Sequence, residues 1–489
     1  MPNSKAGFAL ALSCLGLGVC ALADPIADWN EAARDAVRAE SIPPPRVSRG
    51  LAMLHVAIYD AFNGIQRTHR PYHVTDVAPS GASAEAAVSA AAYEVLLHLF
   101  ADSETQKDNF TLLYTDLLAA IPDGQSKDDG VDYGRSVGDA IIQLRADDGA
   151  ADTVSYTPGT EPGQWRPTPP AYAPALLPHW GQVTPFGVPS AAQLRPYLPP
   201  DLSSSNYAFE LNLLREYGGA ISSVRTDDQS EIAQFWANSA GTETPPGHWN
   251  RIALDVAATQ GLSLAEKARL LALVNIALAD ASICCWDAKY AYNYWRPITA
   301  IREADTDSNP DTTPDPTWSP FVTTPPFPEY TSGHSTFSRA AASVMAGFFG
   351  TDAIPFTVGS DGLPGVTRSY PGFGTAADES GISRIYGGIH FPSANIAGQT
   401  TGHLLAQYVL ANFLLPLKAP VFVLVSPGSA GAQITVLGEP GREYVLEASP
   451  DRATWVPVGT ETAGANGEVE FSDPDAAGER TRFYRAIAH

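Results

Sequence analysis

Seven residues in three short blocks constrain this chain more than any other feature. The first block, KYAYNYWRP, carries Lys289 and Arg296. The second, FPEYTSGHSTFSRA, carries Ser332, Gly333 and His334 in a row. The third, SRIYGGIH, carries Arg384 and His390. One lysine, two arginines, a hydroxyl, a glycine amide and two histidines supply donors and a nucleophile for a tetrahedral oxyanion. A fold must bring them together from well-separated positions, and the rest of the chain reads as scaffold for that meeting.

The pattern around each block says how. Leu262 to Trp295 is a long helical run, opened by Ser263 with Glu266 three residues on, a capping box. It delivers Lys289 and Arg296 near its C-terminal end. Seven positions apart, about two helical turns, the two cations are expected along one face, where they repel unless an anion lies between them. Arg296 can hold two oxygens through its planar fork, while Lys289 acts as a movable point charge. Ser335 to Phe349 reads as a helix, which puts Ser332 close to its N-cap. The Gly333 amide is then free to point at an oxyanion, with the helix dipole assisting. A neutral, oriented histidine such as His390 can be a nucleophile toward phosphorus or a ligand to a metal oxide.

Most of the remaining chain is helical in pattern. Trp29–Glu40, Arg49–Ile65, Ala82–Phe100, Glu104–Ile121, Asp129–Ala146, Ser204–Tyr217 and Thr226–Trp236 carry apolar residues at helical spacing, and Pro245-Pro246-Gly247 breaks the pattern. His55 and Asp60 on the second of these read as packed, satisfied side chains. Residues Ala151 to Pro200 are rich in proline and aromatics and read as an ordered loop across the helical body, forming part of a pocket mouth. Asp305, Asp307 and Asn309 resemble the start of a calcium loop, but Pro310 and Pro316 stand where glycine and glutamate are needed, so a solvated loop is expected. From about Pro420 the period changes to two, in six short runs with turn residues between them, which reads as a small β-sandwich.

Composition limits the partners. The chain has 489 residues, 44% hydrophobic and 17% charged, enough for a large core. A formal net charge of -23 argues against nucleic acid or an anionic membrane surface, and the scarce cations gather in the three blocks. Lys5, the apolar stretch Ala6–Leu22 and the small residues before Asp24 read as a signal peptide over residues 1–23, so the chain is expected to be exported, with no membrane span. Cys14 and Cys20 leave with that segment. Adjacent Cys284 and Cys285 read as buried apolar thiols.

KYAYNYWRP, YTSGH and SRIYGGIH resemble the signature of the vanadium-dependent haloperoxidases, a family that shares its fold and anion site with type 2 phosphatidic acid phosphatases and bacterial nonspecific acid phosphatases. PPPRVSRGLAMLHVAIYDAFNGI and PPGHWNRIA extend the resemblance, which runs from about Trp29 to Leu417. It implies a mainly α fold: a large helical bundle over residues 24–418, followed outside the resemblance by the β-sandwich, 419–489. It also implies vanadate as cofactor, with Lys289, Arg296, Ser332, Gly333 and Arg384 binding its equatorial oxygens. His390 is then the vanadium ligand, and His334 the acid-base group at the opposite apex. Hydrogen peroxide and halide are the implied substrates, and hypohalous acid the product, with Lys289 polarising the peroxide. Trp286 and Phe327 fall where chloride-oxidising members carry aromatics beside the site. One position departs from the pattern. An aspartate often follows the final histidine by four residues and orients it; here Ala394 stands there, with Asn395 beside it as the candidate substitute. Thr331 also replaces the usual proline.

The same residues suit an exported acid phosphatase, with His390 forming a phosphohistidine and His334 protonating the leaving group. The long helical N-terminal half favours the haloperoxidase. A third expectation, a non-enzymatic surface protein whose β-module binds a partner or glycan, rests on Ala394 alone.

Overall fold

A computed structural model describes residues 24–417, 421–428, 431–464, 466–477 and 481–488. The signal-peptide segment, residues 1–23, lies outside the described residues.

Five helices come first: α1 (Pro25–Glu40), α2 (Pro44–Gln66), α3 (Ala84–Leu99), α4 (Glu104–Ala119) and α5 (Gln125–Leu144). Their starts follow local chemistry. Prolines occupy the first turns of α1 and α2, where the missing N–H costs nothing, and the Ser83 hydroxyl caps α3. A second group follows the long loop: α6 (Ser205–Tyr217), α7 (Asp227–Phe235), α8 (Thr244–Thr259), α9 (Leu264–Tyr292), α10 (Pro297–Arg302), α11 (Gly333–Phe349), α12 (Phe373–Tyr386) and α13 (Pro392–Asn412). A short hairpin, β1 (Phe356–Gly359) with β2 (Thr367–Tyr370), joins α11 to α12.

Helix α9 is the axis. It packs against α2 of the first group and against α8, α11 and α13 of the second. The capping box expected at its start is present, Ser263 and Glu266 each satisfying the other's backbone N–H. It is long and apolar enough to cross a membrane, yet nearly all of its apolar stretch is buried inside the protein. Beside it, α13 lies close on α11 because it presents glycine. A Cβ on Gly398 would sit 2.7 Å from the Ser332 carbonyl, and one on Gly402 2.5 Å from that of Thr336. That approach brings the N-terminal ends of α11 and α13 together.

Two expectations change here. Pro245-Pro246-Gly247 does not interrupt helix but opens α8, with proline at its first turn; proline breaks a helix in its interior but is tolerated in its first turn. The run expected to reach Trp295 stops at Tyr292, because Asn293 adopts the left-handed conformation (φ 49°) and its N–H closes on the Lys289 carbonyl.

Residues 151–200 contain only two short 3-10 turns, yet they are pinned to the bundle. The buried Asp280 carboxylate of α9 accepts three successive backbone N–H groups, from Phe186 (2.6 Å), Gly187 (2.8 Å) and Val188 (2.8 Å). Asp60 of α2 does the same for Tyr72, His73 and Val74. His55, on the same helix, is buried as expected and bonds Asn30 through Nε2 at 2.9 Å, but its Nδ1 has no partner, so the histidine is packed without being fully satisfied. Cys284 and Cys285 are buried free thiols. The Asp305–Asn309 loop is closed by its own hydrogen bonds, Asp307 accepting from the Asn309 N–H and the Thr312 hydroxyl. Among the described residues no group of three or more potential ligands is placed to hold a metal ion.

The C-terminal strands form two three-stranded antiparallel sheets, ordered β3 (Val421–Gly428), β4 (Gly431–Leu437), β7 (Glu468–Asp473), and β6 (Val456–Thr462), β5 (Glu443–Ser449), β8 (Phe483–Ala488). Alternate residues of β4, β5 and β7, among them Ile434, Val436, Tyr444, Leu446, Val469 and Phe471, share one small core. Arg70 reaches Glu439 at 2.9 Å, tying these sheets to the helical body.

Asp280→Asn leaves the loop's N–H groups short of an acceptor. The free energy of unfolding should fall by about 1–3 kcal/mol, read by urea denaturation; an unchanged midpoint would show that the clamp is dispensable.

Candidate active site

The three blocks meet beside the end of α9. Lys289 lies in the last turn of that helix, but Arg296 does not share its face. The chain reverses at Asn293, and Arg296 takes an extended conformation as the N-cap of α10. Pro297, at the first turn of α10, enforces that change. The two cations converge because the chain turns between them, and block two supplies what holds them.

Residues 327–331 pass both cations and offer four of their carbonyls. Lys289 Nζ donates to the carbonyls of Pro328 (3.0 Å), Glu329 (2.9 Å) and Thr331. Arg296 Nε donates to the Phe327 carbonyl at 2.7 Å, and its Nη1 to that of Ile389 at 2.9 Å. All three Lys289 protons are therefore engaged by backbone. The ammonium acts on the site through its charge, and reaches a ligand directly only by releasing a carbonyl. The Thr331 that replaces proline follows a cis peptide bond and exchanges hydrogen bonds with Cys285 Sγ.

Ser332 is the N-cap of α11; its Oγ accepts from the Ser335 N–H at 3.3 Å and lies 2.7 Å from the Ser335 Oγ. Gly333 is the first helical residue, where an amide has no partner within the helix. The space over it is open: an added Cβ would meet only ring carbons of Phe337 and Trp286, both at 3.9 Å. His334 follows, with Nε2 buried and unpartnered. Arg384, near the end of α12, donates from Nη1 to the Trp236 carbonyl at 3.0 Å, and its Nε is buried without a partner.

His390 is oriented by a residue that the sequence reading did not single out. Its Nδ1 lies 2.9 Å from Glu329 Oε1, which also accepts the Phe391 N–H at 2.8 Å. Arg296 Nη1 approaches the other ring nitrogen, Nε2, at 3.3 Å. Nδ1 therefore carries the proton and Nε2 presents its lone pair to the site. Asn395, the expected substitute for the missing aspartate, is turned away, its Oδ1 accepting from the Ser335 hydroxyl at 2.7 Å. Ala394 is buried. The available signal was Glu329 itself, the sole acidic residue of FPEYTSGHSTFSRA.

Trp286 and Phe327 lie together, ring centroids 4.9 Å apart, and Lys289 Nζ sits 4.9 Å from the Phe327 ring centre. The long loop reaches this wall. The Leu176 carbonyl accepts from Trp286 Nε1 (3.2 Å) and the Tyr290 hydroxyl (2.7 Å).

Electrostatically the site is short of negative charge. Lys289, Arg296 and Arg384 are buried around a single carboxylate, Glu329. Burial pulls Lys289 down to about 7, Arg296 to about 10 and Arg384 to about 9, with Arg296 repelling both others. It pushes Glu329 up to about 8 against the pull of Arg296 and Lys289. His334 and His390 are held well below the usual imidazole value, first by burial and then by the neighbouring cations. Arg296 Nη2, Arg384 Nε and His334 Nε2 are buried polar atoms with no protein partner, and leaving such groups unmade is costly. Together with the open Gly333 amide and the His390 lone pair, they fit a tetrahedral oxyanion whose central atom can accept a nitrogen ligand.

This electrostatic balance predicts a pH dependence. A bound oxyanion favours charged Lys289, whose other charged neighbours are Arg296 and Glu329. Below pH about 7 the lysine is already protonated and contributes fully. Above it, binding must recruit a proton, and the lysine's contribution declines by up to about tenfold per pH unit. The ratio of phosphate affinities, wild type over Lys289→Met, should fall across pH 7 to 9 in calorimetric titrations; the ratio cancels the ligand's own ionisation. A flat ratio would show that Lys289 stays charged throughout.

Comparison with known proteins agrees with this geometry. Residues 269–415 match the family model described as the VCPO second helical-bundle domain. Vanadium chloroperoxidase of Curvularia inaequalis is 28% identical over 444 residues, 72% of this chain and 71% of that protein. The crystal structure of a bacterial vanadium-dependent iodoperoxidase superposes with a TM-score of 0.70 at 30% identity, over 80% of this chain and 96% of that one. A bacterial vanadium-dependent chloroperoxidase in its holo form shares the fold, with a TM-score of 0.61 at 16% identity over 76% of this chain and 93% of that one. On the iodoperoxidase match, 30% identical and spanning 80% of this chain and 96% of that one, this chain belongs to the vanadium-dependent haloperoxidase family.

Proposed function

We propose that the protein oxidises halide with hydrogen peroxide to hypohalous acid, using vanadate held among the three blocks. The observation that carries this reading is the set of buried, unpartnered donors gathered around the lone pair of His390. Arg296 Nη2, Arg384 Nε, the Gly333 amide and the Ser332 hydroxyl would hold the vanadate oxygens, and His390 Nε2 would supply its nitrogen ligand. Bound there, vanadate supplies a Lewis acid that makes peroxide oxygen electrophilic toward halide.

The protein's own residues prepare that chemistry. Glu329 fixes the His390 ring, so its lone pair needs no reorientation on binding. His334, kept neutral by burial and the nearby cations, presents an unpartnered Nε2 that can hold a proton taken from incoming peroxide. Trp286 and Phe327 present an apolar wall beside the Lys289 charge, a corner from which water is excluded and where a weakly hydrated anion can approach. Lys289 and Arg296 offset the negative charge gathered on the oxyanion. The relatives named above are haloperoxidases, and none of them supports phosphate ester hydrolysis. We further read residues 1–23 as an export signal, and residues 419–489 as an accessory module for a partner or glycan.

Protein freed of phosphate and loaded with orthovanadate should brominate a phenolic dye with hydrogen peroxide, and His390→Ala should abolish the reaction. Ester hydrolysis without bromination would sink the haloperoxidase reading in favour of the phosphatase. Glu329→Gln should weaken vanadate binding about 10–100-fold, measured as the vanadate concentration giving half-maximal activity. A purified secreted form beginning at Asp24 would support export; a retained residue 1 would count against it.

A further inference from the structure

The outer wall of the site is a piece of chain with no regular structure of its own. Helix α7 ends at Phe235, Trp236 is its C-cap, and α8 does not begin until Thr244. Asn238, between them, is left-handed (φ 41°). Yet this segment supplies backbone to the site. The Trp236 carbonyl accepts from Arg384 Nη1 at 3.0 Å. The direction of the Arg384 fork therefore depends on where the Trp236 carbonyl stands.

One carboxylate fixes that residue from outside. Glu379 Oε1 accepts from Trp236 Nε1 (3.1 Å), from the Tyr370 hydroxyl (2.6 Å) and from Arg368 Nε (2.8 Å), while its Oε2 takes Arg368 Nη2 (2.9 Å). Arg368 Nη1 continues to Asp228 (3.0 Å) and Glu231 (2.7 Å) on α7. The network straps α7 and its C-cap onto α12 through strand β2. The far face of the Trp236 ring is fixed as well, stacked on buried His248 with centroids 4.9 Å apart. Glu379 and Arg384 share α12 five positions apart, roughly 140° around the helix, so one works from outside while the other faces the site.

We propose that Glu379 is a positioning residue of the oxyanion site: acting through the Trp236 indole, it sets the carbonyl that aims Arg384, and so sets oxyanion affinity without touching the ligand. The proposal rests on the oxyanion-site reading above. A merely structural role for Glu379 would lower stability and leave the affinity of the folded protein unchanged.

Phosphate, titrated calorimetrically into the full-length protein, provides a readout independent of turnover. Glu379→Leu and Trp236→Phe should each weaken binding about tenfold. Glu379→Gln, which keeps an acceptor oxygen for the indole, should retain most of it. Trp236→Phe should add little on top of Arg384→Lys, because both act on one interaction. Trp236→Phe keeps the ring and its stacking, so it serves even if Glu379→Leu fails to fold. Unchanged affinity in folded Trp236→Phe, or additive losses in the double variant, would overturn the proposal while leaving the site reading intact. A wild type that binds neither phosphate nor vanadate would overturn both.

Discussion

Buried positive charge without enough negative charge to match it is the constraint on which this structure depends. Lys289, Arg296 and Arg384 are all within the protein, and Glu329 is the one carboxylate among them. Ionised side chains taken out of water cost several kcal/mol each unless polar groups replace the lost hydration. Backbone carbonyls do that for most of the N–H groups, through residues 327–331, Ile389 and Trp236. The few that remain unpartnered face the site, where an anion completes them.

The fold can be understood as the means of holding that arrangement. Helix α9 runs through the core, so Lys289 has little freedom to move toward water. The glycines of α13 let it lie on α11, which brings the Ser332 cap close to the chain leaving His390. In the opposite direction, the long loop is clamped by Asp280 and lends the Leu176 carbonyl to the aromatic wall. Rigid elements carry the charges, and irregular chain closes over them.

Legibility differed from element to element for physical reasons. The α9 capping box, the Ser332 cap and the six C-terminal strands were readable because each depends on residues close in sequence. The α8 start was misread because proline has opposite meanings in the first turn and the interior of a helix. Arg296 was placed on the α9 face because periodicity continues past Asn293, whereas the helix ends where a left-handed residue closes it. Glu329 was passed over because its partner, His390, lies 61 positions away.

By itself, the sequence determined which chemical groups are available: guanidinium, ammonium, hydroxyl, amide and imidazole, in an order that suits a haloperoxidase and an acid phosphatase alike. It also determined that a helical body carries them, since helical periodicity and caps are local properties of the chain. Only the tertiary structure decided how those groups are used. It engaged the Lys289 protons with three carbonyls, aimed the His390 Nδ1–H at Glu329, turned Asn395 away, and left single nitrogens of Arg296, Arg384 and His334 without partners. Those outcomes depend on the distance and direction between segments remote in sequence, and no local pattern encodes them.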